Sequence, residues 1–131
     1  MSVLEQVLMA VLGMAQATNP YATITIGALP ADDGICMAPA SAAPDTTFFS
    51  KGMAYQRSIV LNGKHSDQNM VSSALSDIHL ALTQAKKYPN EEKFQITNIE
   101  TISAPSYLSR EQNNQWLYGS SLRVRFYLRK D

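Results

Sequence analysis

The strongest periodic pattern in the chain is an apolar stripe within residues 66–87. Its members recur at spacings of four and three, which is the period of a helix with one buried face. They are Val71, Leu75, Ile78, Leu82 and Ala85. Ser66 is expected to cap the start of this helix, and Tyr88 and Pro89 are expected to follow its end. Strand-like segments lie on both sides, so the helix is predicted to cover one face of a sheet.

A second helix is predicted near the N-terminus, over residues 2–17. Valine and leucine residues at spacings of four give it a broad apolar face, which is typical of a helix buried on more than one side. The same stretch has some features of a signal peptide. However, no Lys or Arg precedes Lys51 and Glu5 interrupts the apolar run, so secretion is disfavoured.

Alternation of apolar and polar residues predicts strands in several places. The segments are residues 21–27, 53–62, 94–103 and 116–129, with a further short strand possible at 34–37. Within residues 94–103 the alternation slips by one position, as a β-bulge would cause.

The last of these strands, residues 116–129, has the clearest alternation. One of its faces is apolar, and the other carries Arg123, Arg125, Tyr127 and Arg129. A strand with a core face and a basic face indicates a sheet whose far side meets water or a partner.

The connecting segments complete the predicted fold. Asn62 and Gly63 predict a turn, residues 38–45 an extended loop, and residues 104–115 a long polar loop with a role in contacts. We therefore expect a single α+β domain over residues 1–131. Its sheet is mainly antiparallel, with about four or five strands, the long helix on one face and the N-terminal helix in addition.

Charge and cysteine content exclude several classes of protein. Lys plus Arg and Asp plus Glu both number 11, and this zero net charge disfavours specific or general binding to nucleic acid. The single cysteine, Cys36, excludes an internal disulfide framework and indicates a reducing cytoplasm. No apolar run reaches the ~18 residues of a membrane-spanning helix.

The sequence contains no recognisable catalytic, cofactor or metal motif. Cys36 with His65 or His79 is conceivable as a nucleophile and base, but a buried thiol and a histidine at the core edge are favoured. Asp32 and Asp33 precede a glycine, which favours a turn over a cation site. We therefore expect no enzyme activity, cofactor or metal.

The arginine stripe of the last strand is the patch most suggestive of function. A solvated sheet face is one interpretation. A protein interface is the sharper one, since arginine is enriched in interfaces and Tyr127 lies within the stripe. The expected interface residues are Arg123, Arg125, Tyr127, Arg129, Phe48, Phe49 and Tyr107.

Several segments taken together resemble a family of phage proteins. They are DGI (33–35), TTFFSKG (46–52), YQRSIVL (55–61), KHSDQ (64–68), ALSDI (74–78), WLY (116–118) and LRVRFY (122–127). The resemblance, over about residues 21–128, is to small minor capsid or tail-completion proteins of tailed phages and prophages of Gram-positive bacteria. These are similar in layout to tail terminators.

This resemblance implies a mechanical role. Tail-terminator-like proteins form a ring, typically of six subunits, that caps the finished tail tube and joins the tail to the head. It implies no catalytic residues, tail-tube and head–tail connector proteins as partners, synthesis in the host cytoplasm and a place in the virion. Residues 38–51 and 104–115 would make the partner contacts. Two alternatives remain open: a small ligand-binding or regulatory domain of a bacterial cell acting as a dimer, and an enzyme using Cys36 with a histidine.

Overall fold

A computed structural model describes residues 2–40 and 54–129 of the protein. Helix α1 spans Val3–Gln16 and helix α2 spans Gln68–Thr83. The strands within the described residues are β1 (Ile24–Ile26), β2 (Gly34–Pro39), β3 (Ala54–His65), β4 (Phe94–Arg110) and β5 (Trp116–Leu128). They form one sheet in the order β1-β2-β3-β5-β4, with β1 and β2 parallel and the other neighbours antiparallel. The predicted α+β fold class is confirmed.

Helix α2 packs its apolar stripe onto the sheet, as the periodicity predicts. Val71, Leu75, Ile78 and Leu82 are completely buried. The predicted ends are wrong by a few residues. The N-cap is Asp67 rather than Ser66, because the Asp67 carboxylate accepts the N–H of Asn69 at 2.9 Å. The helix ends at Thr83, whereas the sequence pattern extends it to residue 87.

Helix α1 begins at the cap residue Ser2, whose hydroxyl accepts the N–H of Glu5 at 3.2 Å. Its side chains Val7, Val11 and Ala15 are buried and join the core formed by α2 and the sheet. The helix predicted over residues 2–17 is therefore confirmed. Among the described residues, neither helix is long and apolar enough to cross a membrane.

Strand β5 pairs with β3 in an unbroken register, so its side chains alternate between two faces. Leu122, Val124 and Phe126 are buried toward the helices. Arg123 and Arg125 therefore point to the opposite face of the sheet, which we call the outer face. The predicted division of this strand into an apolar and a basic face is correct.

The predicted turn at Asn62 and Gly63 is wrong, because both residues continue strand β3. Gly63 faces α2, and a Cβ atom there would lie 3.0 Å from Val71 Cγ2 and 3.4 Å from Leu75 Cδ2. The glycine thus lets the helix approach the sheet closely rather than making a turn.

The predicted polar loop over residues 104–115 is also largely wrong. Strand β4 runs on to Arg110, and the loop is confined to residues 111–115. These residues form a strand because their backbone pairs with β5: Tyr107 pairs with Tyr118, and Arg110 with Trp116. The predicted bulge is present, as a register shift between Ile96 and Asn98.

Two smaller differences concern the N-terminal half. The strand predicted over residues 21–27 is only three residues long, and Ile26 at its end is 44% exposed. The loop expected over residues 38–45 begins later, since β2 includes Pro39, and residues 41–45 lie outside the described part of the chain.

Candidate protein interface

The arginine pair on the outer face is bound to a carboxylate of the neighbouring strand. Arg125 Nη2 lies 3.1 Å and Arg123 Nη1 3.5 Å from the same Glu100 Oε1. All three side chains are more than a third exposed, so each ion pair contributes at most about 1 kcal/mol. The face is therefore less positive than the sequence of β5 alone indicates.

Arg129, at the end of β5, binds the connection between α2 and β4. Its Nε donates to the Glu91 carbonyl at 3.0 Å, its Nη2 donates to Asn90 Oδ1, and its backbone N–H donates to the Lys93 carbonyl at 2.8 Å. These contacts give Arg129 a role in holding its own chain together. Tyr127, by contrast, is 47% exposed on the outer face.

Tyr107 lies on the other side of the sheet from the arginines. It pairs with Tyr118, whose hydroxyl accepts a hydrogen bond from Gln68 of α2 at 2.6 Å. Tyr118 and Arg125 are seven residues apart along β5, roughly 23 Å. The structure therefore does not bring the predicted interface residues into one patch. Phe48 and Phe49 lie outside the described residues.

The aromatic side chains around Tyr107 form a cluster at the edge of the sheet. The Tyr107 ring lies edge-on to Trp116, with centroids 5.9 Å apart, and to Tyr118, at 6.2 Å. The Arg110 guanidinium lies 5.0 Å from the centre of the Trp116 ring. Tyr107 remains 52% exposed despite these contacts. Tyrosine, tryptophan and arginine are the residue types enriched at binding hot spots.

The second half of β4 forms a surface that the sequence pattern does not predict. We call residues 101–109 the edge segment. Seven of its nine residues are exposed, and Pro105 and Ser109 are half-buried. Three large apolar side chains are prominent: Ile102, Tyr107 and Leu108 are 45%, 52% and 53% exposed. The available signal was the run of nine residues without a charge, which the interpretation as a polar loop overlooked.

The loop between β4 and β5 folds across the end of the sheet and binds the turn before β2. Lys64 Nζ lies 3.1 Å from Glu111 Oε1, and the Lys64 side chain is only 9% exposed. Asn113 donates to the Ala31 carbonyl at 2.9 Å and to Asp32 Oδ1 at 3.3 Å. Sequence separations near 47 and 82 residues put these contacts beyond reach of any local pattern.

Asp33 is a structural anchor of the same corner. Partial desolvation acts to raise its pKa, but hydrogen bonds from the Gln115 side chain and the Ser66 N–H, together with nearby His65, hold the pKa below its usual value. His65 Nε2 lies 3.3 Å from Asp33 Oδ2, and His65 Nδ1 accepts the N–H of Asp67 at 2.9 Å. Asp33 thus belongs to the turn that the sequence predicts. Within the described part of the chain, no three His, Cys, Asp or Glu side chains form a group that could hold a metal ion.

Cys36 and the two histidines do not form a nucleophile–base pair. Cys36 is buried on the outer face, between Ile35 and Met37, which face the helices. Burial raises the pKa of its thiol, so the nucleophilic thiolate is disfavoured. His79 lies on α2, across the sheet, with Nδ1 2.8 Å from Thr101 Oγ1, and burial lowers its pKa. His65 packs its ring against Tyr21 on the helix side.

Comparisons with known proteins give a likeness in structure only. No family model matches the sequence, and no curated protein matches it. Among solved structures, the fold is similar to a chain in the virion of a native gene transfer agent (GTA) particle. The TM-score is 0.65 at 14% sequence identity, and the match covers 92% of this chain and 93% of that chain. The protein therefore shares its fold, over nearly its whole length, with a virion component.

Proposed function

We propose that the protein is a structural subunit of a phage or prophage virion that forms a ring, as a tail terminator or a minor capsid protein. In this role it caps the tail tube, joins the tail to the head, or does both. The observation that carries the proposal is the fold shared with a virion chain across 92% of this protein. The sequence resemblance to tail-completion proteins of Gram-positive-infecting phages points to the same role independently.

The surface of the subunit is consistent with a mechanical function. A ring needs a heterologous interface, in which two different surfaces of one subunit meet. Of the strands that the structure describes, the two at the edges of the sheet are different: β1 is three residues long, and β4 is 17 residues long. Each edge exposes apolar side chains, Ile26 on β1 and the group in the edge segment on β4. A zero net charge also leaves little repulsion between copies.

The proposed partners are the tail-tube protein and the head–tail connector proteins. Of the contact segments that the sequence suggests, residues 104–110 are in strand β4 and residues 111–115 form a short loop held by Lys64 and the turn before β2. A tail-tube or connector protein would therefore meet a fixed surface at the loop of residues 111–115. Contacts there need little ordering of the chain on binding, which lowers their entropic cost.

Solution mass tests the proposal directly. Light scattering on the purified full-length protein, over a range of protein and salt concentrations, should give a closed oligomer of about 86 kDa, six times the 14.4 kDa of one copy. Electron micrographs of the same fraction should show rings. A discrete dimer at all concentrations would contradict the ring and favour the regulatory domain.

A further inference from the structure

The edge segment has one side on which no strand of the described part of the chain pairs with it. Within residues 2–40 and 54–129, strand β4 is the last in the strand order, so residues 101–109 pair with a strand only on the β5 side. The beginning of β4 is different, because residues 89–91 cover its open side. The Ile96 N–H donates to the Pro89 carbonyl at 2.9 Å, and the Glu91 N–H donates to the Phe94 carbonyl at 2.7 Å. Among the described residues, the open edge therefore starts after Ile96.

Charges do not protect this open edge. Natural edge strands commonly carry lysine or other charged side chains that discourage pairing with other chains. The edge segment reads TISAPSYLS and contains none. The flanking charges are engaged within the chain: Glu100 binds Arg125 at 3.1 Å, and Arg110 lies over Trp116 and donates to Asn114 at 3.0 Å. A surface that is exposed, uncharged and partly apolar is typical of an interaction site.

The backbone of the segment determines how it can be bound. The β4–β5 register shifts between Thr101 and Ser103, between Ser103 and Ser106, and between Tyr107 and Ser109, and the segment contains Pro105. Irregularities and proline hinder the addition of a further regular strand and so prevent open-ended sheet growth. A specific partner would instead pack around the edge, against Tyr107 on the helix side and Leu108, which lies over Gly119 on the outer face.

We infer that the edge segment is the surface through which one copy of this protein binds a second copy. Zero net charge removes the long-range repulsion that would keep identical copies apart. Exposed Ile26 at the opposite edge supplies a different apolar surface on the same subunit, as a head-to-tail contact requires. The inference rests on the proposed function for the closed ring and adds to it the surface that makes the contact.

A pair of lysine substitutions tests the inference. Leu108→Lys places a charge in the edge segment, and Leu80→Lys is its matched control on α2, since the two leucines are 53% and 54% exposed. Sedimentation velocity of the full-length protein measures self-association over a wide concentration range. Leu108→Lys should weaken association about tenfold or more, the effect of losing a central interface residue. Leu80→Lys should leave it unchanged.

The remaining outcomes separate the inference from the proposed function. Leu108 contacts Gly119, so a substitution there could change stability as well as binding, and the unfolding midpoint of each variant is therefore measured by circular dichroism. Ile102→Lys serves as a second variant, at a site that is 45% exposed. If the wild type assembles and both edge variants assemble equally well, the inference is overturned and the ring stands. If the wild type is monomeric at every concentration, the inferred contact between copies and a ring formed by the protein alone are both overturned.

Discussion

Replacing Glu111 by glutamine should destabilise the protein because Lys64, its ion-pair partner on β3, loses its counter-charge. Glu111 lies on the β4–β5 loop and is 39% exposed, whereas its partner Lys64 is on β3 and only 9% exposed. The substitution keeps the size of the side chain and removes its charge. The Lys64 ammonium, 3.1 Å away, then loses its counter-charge in a place where water reaches it poorly.

The size of the effect follows from the unequal burial of the two groups. Breaking a fully buried ion pair costs about 3–5 kcal/mol, and breaking an exposed pair about 0–1 kcal/mol. With one partner buried and glutamine still able to accept a hydrogen bond, we expect a loss of about 1–2 kcal/mol in the free energy of unfolding. Lys64→Met should cost less, under about 1 kcal/mol, because water can solvate the more exposed Glu111.

Urea unfolding followed by circular dichroism measures these differences, provided that the denaturant slope stays constant among the variants. The double-mutant cycle is decisive: with methionine at position 64, the Glu111→Gln substitution should have almost no effect. An equal cost of Glu111→Gln in both backgrounds would show that the ion pair is not the cause, and the reasoning would be refuted.

Three further predictions concern the core. Leu75→Ala should lower the free energy of unfolding by about 2–5 kcal/mol, measured in urea, because Leu75 is completely buried. Leu80→Ala, at an exposed site, should change it by less than about 0.5 kcal/mol. Similar losses for the two variants would contradict the packing described. Burial lowers the pKa of His79 below 6.5, so stability is complete above pH 6.5 and falls below it, by up to about 1.4 kcal/mol per pH unit, as the unfolded chain binds the proton first. His79→Gln should reduce this slope between pH 7.5 and 5, and an unchanged slope would exclude His79 as its source. Gly63→Ala should cost about 1–3 kcal/mol by crowding α2, whereas Gly13→Ala, with nothing within 4 Å, should raise the unfolding midpoint; the opposite order would refute the close-approach argument.

The arginine stripe shows how far the positions of the predicted interface residues followed from the sequence. Alternation places Arg123 and Arg125 on one face of β5, and the structure agrees. Their shared partner Glu100 belongs to β4, and the pairing of β4 with β5 depends on a register that contains bulges. Tyr107 is predicted to lie in a loop, but it lies in strand β4 and on the opposite face of the sheet. Alternation predicts which face of the sheet a residue occupies within one strand. It does not predict which residues of two different strands lie side by side.

Several features of the fold follow from a local period in the sequence alone. The 3.6-residue repeat of α2 placed Leu75 and Ile78 in the core, and the two-residue repeat of β5 placed Val124 there. The broken alternation after Ile96 revealed the bulge. Each of these signals arises within about ten residues, because side-chain direction in a helix or strand follows directly from backbone geometry.

Where local signals are weak, long-range packing and pairing set which segments form strands and which surface of the described sheet stays open. Gly63 lies in a strand because α2 needs the space that a Cβ atom would occupy. The polar residues of the edge segment lie in a strand because β5 satisfies their backbone hydrogen bonds. Among the described strands, β4 has an open edge because of the strand order β1-β2-β3-β5-β4, which is set by pairing between residues distant in sequence.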